Sequence, residues 1–110
     1  MRPEIDLNKY LPEGVKLFSG RDWGEKVRVD SKIDDVFAES TGKIRIIIPV
    51  QIRSINPSFL EELLANVVAK YGREDFLERV EFTQATRYHV KADLDEAIDR
   101  ILTEENALAI

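Results

Sequence analysis

Between Lys43 and Gly72 the chain reads KIRIIIPVQIRSINPSFLEELLANVVAKYG, an order of residues that few folds accommodate. Ile44, Ile46, Ile47, Ile48 and Val50 form a short β-branched run, the composition of a strand covered on both faces. The run is too short and too branched for a helix. Asn56 and Pro57 then give an N-cap residue and a proline at the first helical position, where its missing N–H costs nothing. Leu60, Leu63, Leu64, Val67, Val68 and Tyr71 recur at i, i+3, i+4, i+7, i+8 and i+11, a continuous apolar stripe. Gly72 supplies a residue able to turn left-handed and stop the helix. The spacing predicts a central strand over residues 43–50, a tight polar turn, and a helix over residues 57–71.

The flanking segments continue the alternation. Residues 4–7 read as an edge strand and residues 15–18 as a short strand, separated by the turn residues Pro12, Glu13 and Gly14. Residues 20–40 carry two periods at once. Val27 and Val29 alternate with charges as in a strand, whereas Trp23 and Val27, then Val29, Ile33, Val36 and Phe37, fit helical spacing. We expect mostly helix over residues 22–38, broken near Asp30, with Ser31 and Asp34 spaced to cap a second piece; residues 24–30 stay open between helix and strand. Residues 73–77 read as a helical turn carrying Phe76, and residues 80–82 as a strand. Val90, Leu94, Ala97, Ile98, Ile101 and Leu102 form a last amphipathic stripe, and the tail EENALAI extends that helix or frays. If residues 44–50 and 80–82 are parallel neighbours, the intervening helix is a right-handed crossover. The predicted fold is α/β: one small domain over residues 1–110, with a mixed, mostly parallel sheet and helices mainly on one face.

Size and charge narrow the function classes. A chain of 110 residues builds one core, not two. Its 21 acidic residues against 16 basic ones leave a net charge of −5, which argues against a nucleic-acid partner. No apolar run approaches the roughly 18 residues that would span a bilayer, and MRPEIDLNKY lacks the apolar core of a signal peptide. There is no cysteine, hence no disulfide and no thiolate metal site. A cytoplasmic protein is expected. His89 is the single histidine, so a His-rich metal site is not expected; no cofactor is expected either.

Three segments together, GRDWGEKVR, IRIIIPV and SINPSFLEELLANVVAKYG, resemble the STAS-like domain family of unknown function, which is related to the STAS domains of anti-sigma-factor antagonists. The resemblance runs from about Phe18 to Ile101. Its most specific piece is the pair Ser58-Phe59 opening an acidic, leucine-rich helix; Gly24 and Arg28, in a Gly-x-x-x-Arg pattern, add to it. It implies a β/α order with a mixed sheet. In the antagonists the strand-to-helix turn carries Asp-Ser-Ser-Gly, with the second serine phosphorylated by a partner kinase. That turn falls on Asn56-Pro57-Ser58-Phe59, so Ser58 matches the phosphorylated position, while Asn56, Pro57 and Phe59 replace the aspartate, the first serine and the glycine. The resemblance implies a protein partner, a kinase-like ATPase among the candidates.

The residues themselves point to the same turn. Ser58 would sit beside unpaired backbone N–H groups and the positive end of the helix dipole; there a surface phosphate gains roughly 0.3–1 kcal/mol. The plainer reading is a small polar residue suited to a first helical turn. Arg53, Ser54, Asn56 and Ser58 cluster where open α/β sheets bind ligands and where helix N-termini hold anions, although no Gly-rich loop or P-loop lysine is present. Phe59 either anchors a partner or extends the core. Arg21, Asp22 and Arg28 around Trp23 form a second patch, either for recognition or as an ion-paired helix start. His89 reads as a turn or cap residue, and the carboxylates of DLDEAIDR as a solvated helix face. The expected function is a non-enzymatic regulatory, protein-interaction module, with phosphorylation at Ser58 as its switch. The alternative is a small-molecule or nucleotide module that binds an anion at the N-terminus of helix 57–71. An enzyme using Ser58 or His89 is the third reading, and a homodimer is compatible with all three.

Overall fold

The computed structural model describes residues 3–83 and 85–108, with the side chains of the last helix described as far as residue 104. The element order is β1 (Glu4–Asp6), a 3-10 turn (Leu7–Tyr10), β2 (Leu17–Phe18), α1 (Arg21–Ser31), α2 (Ile33–Glu39) and β3 (Ile44–Ile47). There follow β4 (Ser54–Ile55), α3 (Pro57–Arg79), β5 (Val80–Phe82) and α4 (Lys91–Leu108). The fold is α/β, as the sequence predicts. Two parallel sheets form, β1-β3-β5 and the smaller β2-β4.

β3 is the central strand of the larger sheet, but it differs from the expected run. It ends at Ile47, because Pro49 has no N–H to continue a ladder. Ile48 instead donates its N–H to Thr83 Oγ1 at 2.8 Å, and Val50 is 64% exposed. Coverage is also one-sided. Ile44 and Ile46 are fully buried, whereas Arg45 is exposed. The register sets Ile5, Ile46 and Phe82 side by side on the covered face, and Glu4, Arg45 and Glu81 side by side on the open one. Arginine between two glutamates is a favourable cross-strand arrangement for an open face.

The helices cover the apolar face around α3. Asn56 caps α3 with Pro57 at its first turn, and Phe59, Leu60, Leu63, Leu64, Val67 and Val68 are buried. Gly72, at φ 80° and ψ 170°, breaks the helix where the sequence predicts a stop. A second segment then carries the buried Phe76 as far as Arg79. Arg79 donates to the carbonyls of Phe37 and Ser40 at 2.8 and 2.6 Å and lies over the Phe37 and Tyr71 rings. α1 and α4 both pack directly against α3. The double period of residues 20–40 resolves as two helices, broken at Lys32 in the left-handed region (φ 57°), not at Asp30. α1 approaches α3 so closely that a Cβ on Gly24 would lie 2.4 Å from the Phe59 carbonyl oxygen. One cluster of buried side chains runs from Ile5 through α3 to Ile101. The last residues of the tail, 109 and 110, lie outside the described residues.

Candidate functional site

The N-terminus of α3 has internal partners for the groups that an anion would use. Asn56 Oδ1 accepts the Ser58 N–H at 2.9 Å and the Ser58 hydroxyl at 2.8 Å. The Phe59 N–H goes to the Asn56 carbonyl at 3.0 Å. An oxyanion at Ser58 would have to displace its own cap. Ser58 is half-buried, and its hydroxyl is bonded to Asn56, not to His89. His89 is exposed and borders a separate recess with Phe82, Thr83 and Lys91.

Phe59 belongs to the core. It is fully buried, stacked on Phe18 at 4.7 Å between ring centroids and edge-on to Trp23 at 5.8 Å. Of the two readings of Phe59, extension of the core is the one that holds, because the buried face of α3 is wider than the leucine stripe: α1 covers it on the Phe59 side through Gly24.

Arg21 and Arg28 take the ion-paired reading. Arg21 Nη1 lies 3.0 Å from Glu61 and 3.3 Å from Glu62. Arg28 Nη1 donates to the Glu62 carbonyl at 2.7 Å and lies 3.4 Å from its carboxylate. Glu61, 2% exposed, also faces Arg100 of α4 at 3.7 Å. The Glu61 carboxylate holds the Arg21 guanidinium above its ordinary range, with Glu62 adding to the effect. Asp22 is exposed in the first turn of α1, where a carboxylate favours the dipole. Across the molecule the DLDEAIDR carboxylates are also used internally. Asp95 and Asp99 pair with Arg73, and Asp93 accepts from Tyr88.

A different group of cations gathers where β3 and β5 end and β2 and β4 begin. Beyond β3 the chain turns through an Ile52 N–H to Pro49 carbonyl bond of 3.1 Å. The Arg53 N–H then donates to the Lys16 carbonyl at 2.7 Å, and the Thr86 N–H to the Val50 carbonyl at 3.0 Å. Below Arg87, Tyr88 is buried and its hydroxyl donates to Asp93 at 2.8 Å; burial, then Asp93, pushes that phenol far above its usual range. These bonds bring Lys16, Arg53 and Arg87 around one dish of about 280 Å³, completed by Gln51, Thr86 and Val50 over the buried Ile52. Among the described residues no acidic side chain lines it.

Among the described residues the side chains of Lys16, Arg53 and Arg87 have no ion-pair or hydrogen-bond partner. Arg53 was expected in the site; Ser54, in β4 beside it, is exposed but does not line the dish. Lys16, Thr86 and Arg87 escape sequence reasoning, which has no means of pairing residues 17–18 with 54–55. A faint signal exists. Residues 14–21, 40–60 and 82–92 contain no Asp or Glu in a chain with 21 of them, and each supplies one cation of the dish. Comparison with protein-family models, with curated proteins and with solved structures finds no match.

Proposed function

We propose that this domain is a non-enzymatic recognition module that docks an acidic protein partner at the dish formed by Lys16, Arg53 and Arg87. The observation that carries the reading is the set of three unpaired cations, all exposed, converging on one concavity of an otherwise acidic protein. Elsewhere Arg21, Arg28, Arg73 and Arg100 are ion-paired within the fold. The position suits the role: loops beyond the carboxyl ends of parallel strands are where open α/β sheets bind ligands. Kinship with STAS-like domains is part of the proposal. It is supported by the quoted segments and by a parallel central strand followed, after the short β4, by α3, and recognition then falls beside the β4–α3 turn instead of on Ser58.

A nucleotide is a poorer fit. Among the described residues no aromatic side chain lines the dish for a base to stack on, and small-molecule sites enclose most of their ligand. The test is an amide NMR titration with a glutamate-rich peptide at low and at high salt. Shifts centred on Arg53, Thr86 and Arg87, abolished by salt and by Arg53→Glu, are expected. Shifts centred on the Ser58 and Phe59 amides, or on another face, would refute the assignment.

A further inference from the structure

Within the docking reading above, on which this inference rests, the dish has features that specify the acidic group more narrowly. Three cations converge, two of them guanidinium groups whose planar forks match tetrahedral oxyanions in two-point contacts. Thr86 adds a hydroxyl donor and Gln51 an amide. One carboxylate brings a single charge to such a set, whereas a phosphorylated side chain brings about −1.5 to −2 charges at neutral pH and three acceptor oxygens. The number of donors therefore matches a phosphoryl group better than a glutamate.

The form of the dish indicates what carries that group. Of its lining residues only Ile52 is buried; Lys16, Val50, Gln51, Arg53, Thr86 and Arg87 are exposed. A small metabolite usually loses 70–90% or more of its surface to its site, and an open dish of about 280 Å³ cannot do that. It can hold one group of a larger ligand that extends beyond the rim. The rim is also apolar in part, at Val50, which is 64% exposed. An exposed aliphatic side chain beside a cationic dish suits a peptide that places its phosphate in the dish and an apolar neighbour on the rim.

We infer that the dish of Lys16, Arg53 and Arg87 binds one phosphoryl group of a phosphorylated protein segment, with Val50 contacting an apolar residue beside it. The segment belongs to another chain. The hydroxyl of this chain's Ser58 is turned into its own helix cap.

Fluorescence polarisation with four probes tests this. They are a degenerate peptide library fixed at phosphoserine, the same library with serine, the same with glutamate, and vesicles rich in phosphatidylserine. The phosphoserine library should bind, and the glutamate library about tenfold or more weakly, the difference expected when charge-assisted hydrogen bonds are lost. Arg53→Ala and Arg87→Ala, both at exposed positions, should each lower phosphoserine binding by a similar factor without changing the thermal midpoint. Inorganic phosphate should compete at millimolar concentration, and Val50→Ser should weaken the library without altering that competition. Equal binding of glutamate and phosphoserine libraries overturns the phosphoryl assignment and leaves the acidic-partner reading standing. Binding to vesicles but to neither acidic peptide library overturns both, as does binding that survives Arg53→Ala and Arg87→Ala together.

Discussion

Two groups of cations, one against the N-terminal half of α3 and one in the dish beyond the end of β3, are treated differently by the fold. Arg21, Arg28 and Arg100 surround Glu61 and Glu62, and each has a carboxylate within 3.7 Å. Their charge is spent on joining α1 and α4 to α3. Lys16, Arg53 and Arg87 line one concavity that no acidic residue lines among the described residues. Nothing in the stability of the fold calls for them to meet. Exposed arginines are thus not equivalent: a guanidinium answered from a neighbouring helix is architecture, and one left unanswered beside two others is available to a ligand.

That contrast can be broken at several points, the most severe on the architectural side. Phe59→Ala, beneath the Arg21 cluster, should cost about 3–5 kcal/mol, as for other buried Phe truncations. Chemical denaturation measures it, and a loss below 1 kcal/mol would mean that the Phe18–Trp23–Phe59 stack is not core. Arg28→Ala should cost roughly 1–3 kcal/mol, because the Glu62 carbonyl loses a largely shielded charged donor. If it proves neutral, the paired group is ornamental and the contrast collapses. Asn56→Ala should cost about 1 kcal/mol through loss of the α3 cap. Ser58→Ala should cost less, since Asn56 keeps its bond to the Ser58 N–H; thermal unfolding of the pair ranks them. Smallest of all, Lys16→Ala, Arg53→Ala and Arg87→Ala should each stay within about 0.5 kcal/mol of the parent. A clear loss of stability in any of the three would show that it belongs with the architecture.

The sequence carries most of the fold because its strongest signals are local. The cap at Asn56, the stripe from Leu60 to Tyr71 and the stop at Gly72 all act within a few residues, and all three reappear in α3. The break between α1 and α2 is legible to within two residues, since both periods in residues 20–40 belong to real helices. Less was legible where tertiary context decides. The run Ile44–Val50 looks fully covered, yet Arg45 and Val50 reach solvent. An isoleucine run alone does not tell that only one face of a sheet receives helices. The site was legible in one residue of the three. Arg53 is flagged by its turn, but Lys16 and Arg87 come to it from 37 and 34 residues away, beside strands of two and three residues that are legible as strands but too short to announce what they pair with.

The β2-β4 sheet has two residues in each strand, and the Arg53 N–H to Lys16 carbonyl bond lies at its margin. So small a ladder opens without the rest of the domain, at a fraction of the global unfolding free energy. The Arg53 amide is therefore a natural clock for the dish. Its hydrogen exchange should run orders of magnitude faster than that of Leu64 in α3, and should slow by the factor 1 + [L]/Kd once a ligand holds Lys16 and Arg53 together. A partner could then be recognised by retarded deuterium uptake at one backbone position, before anything is known of its sequence.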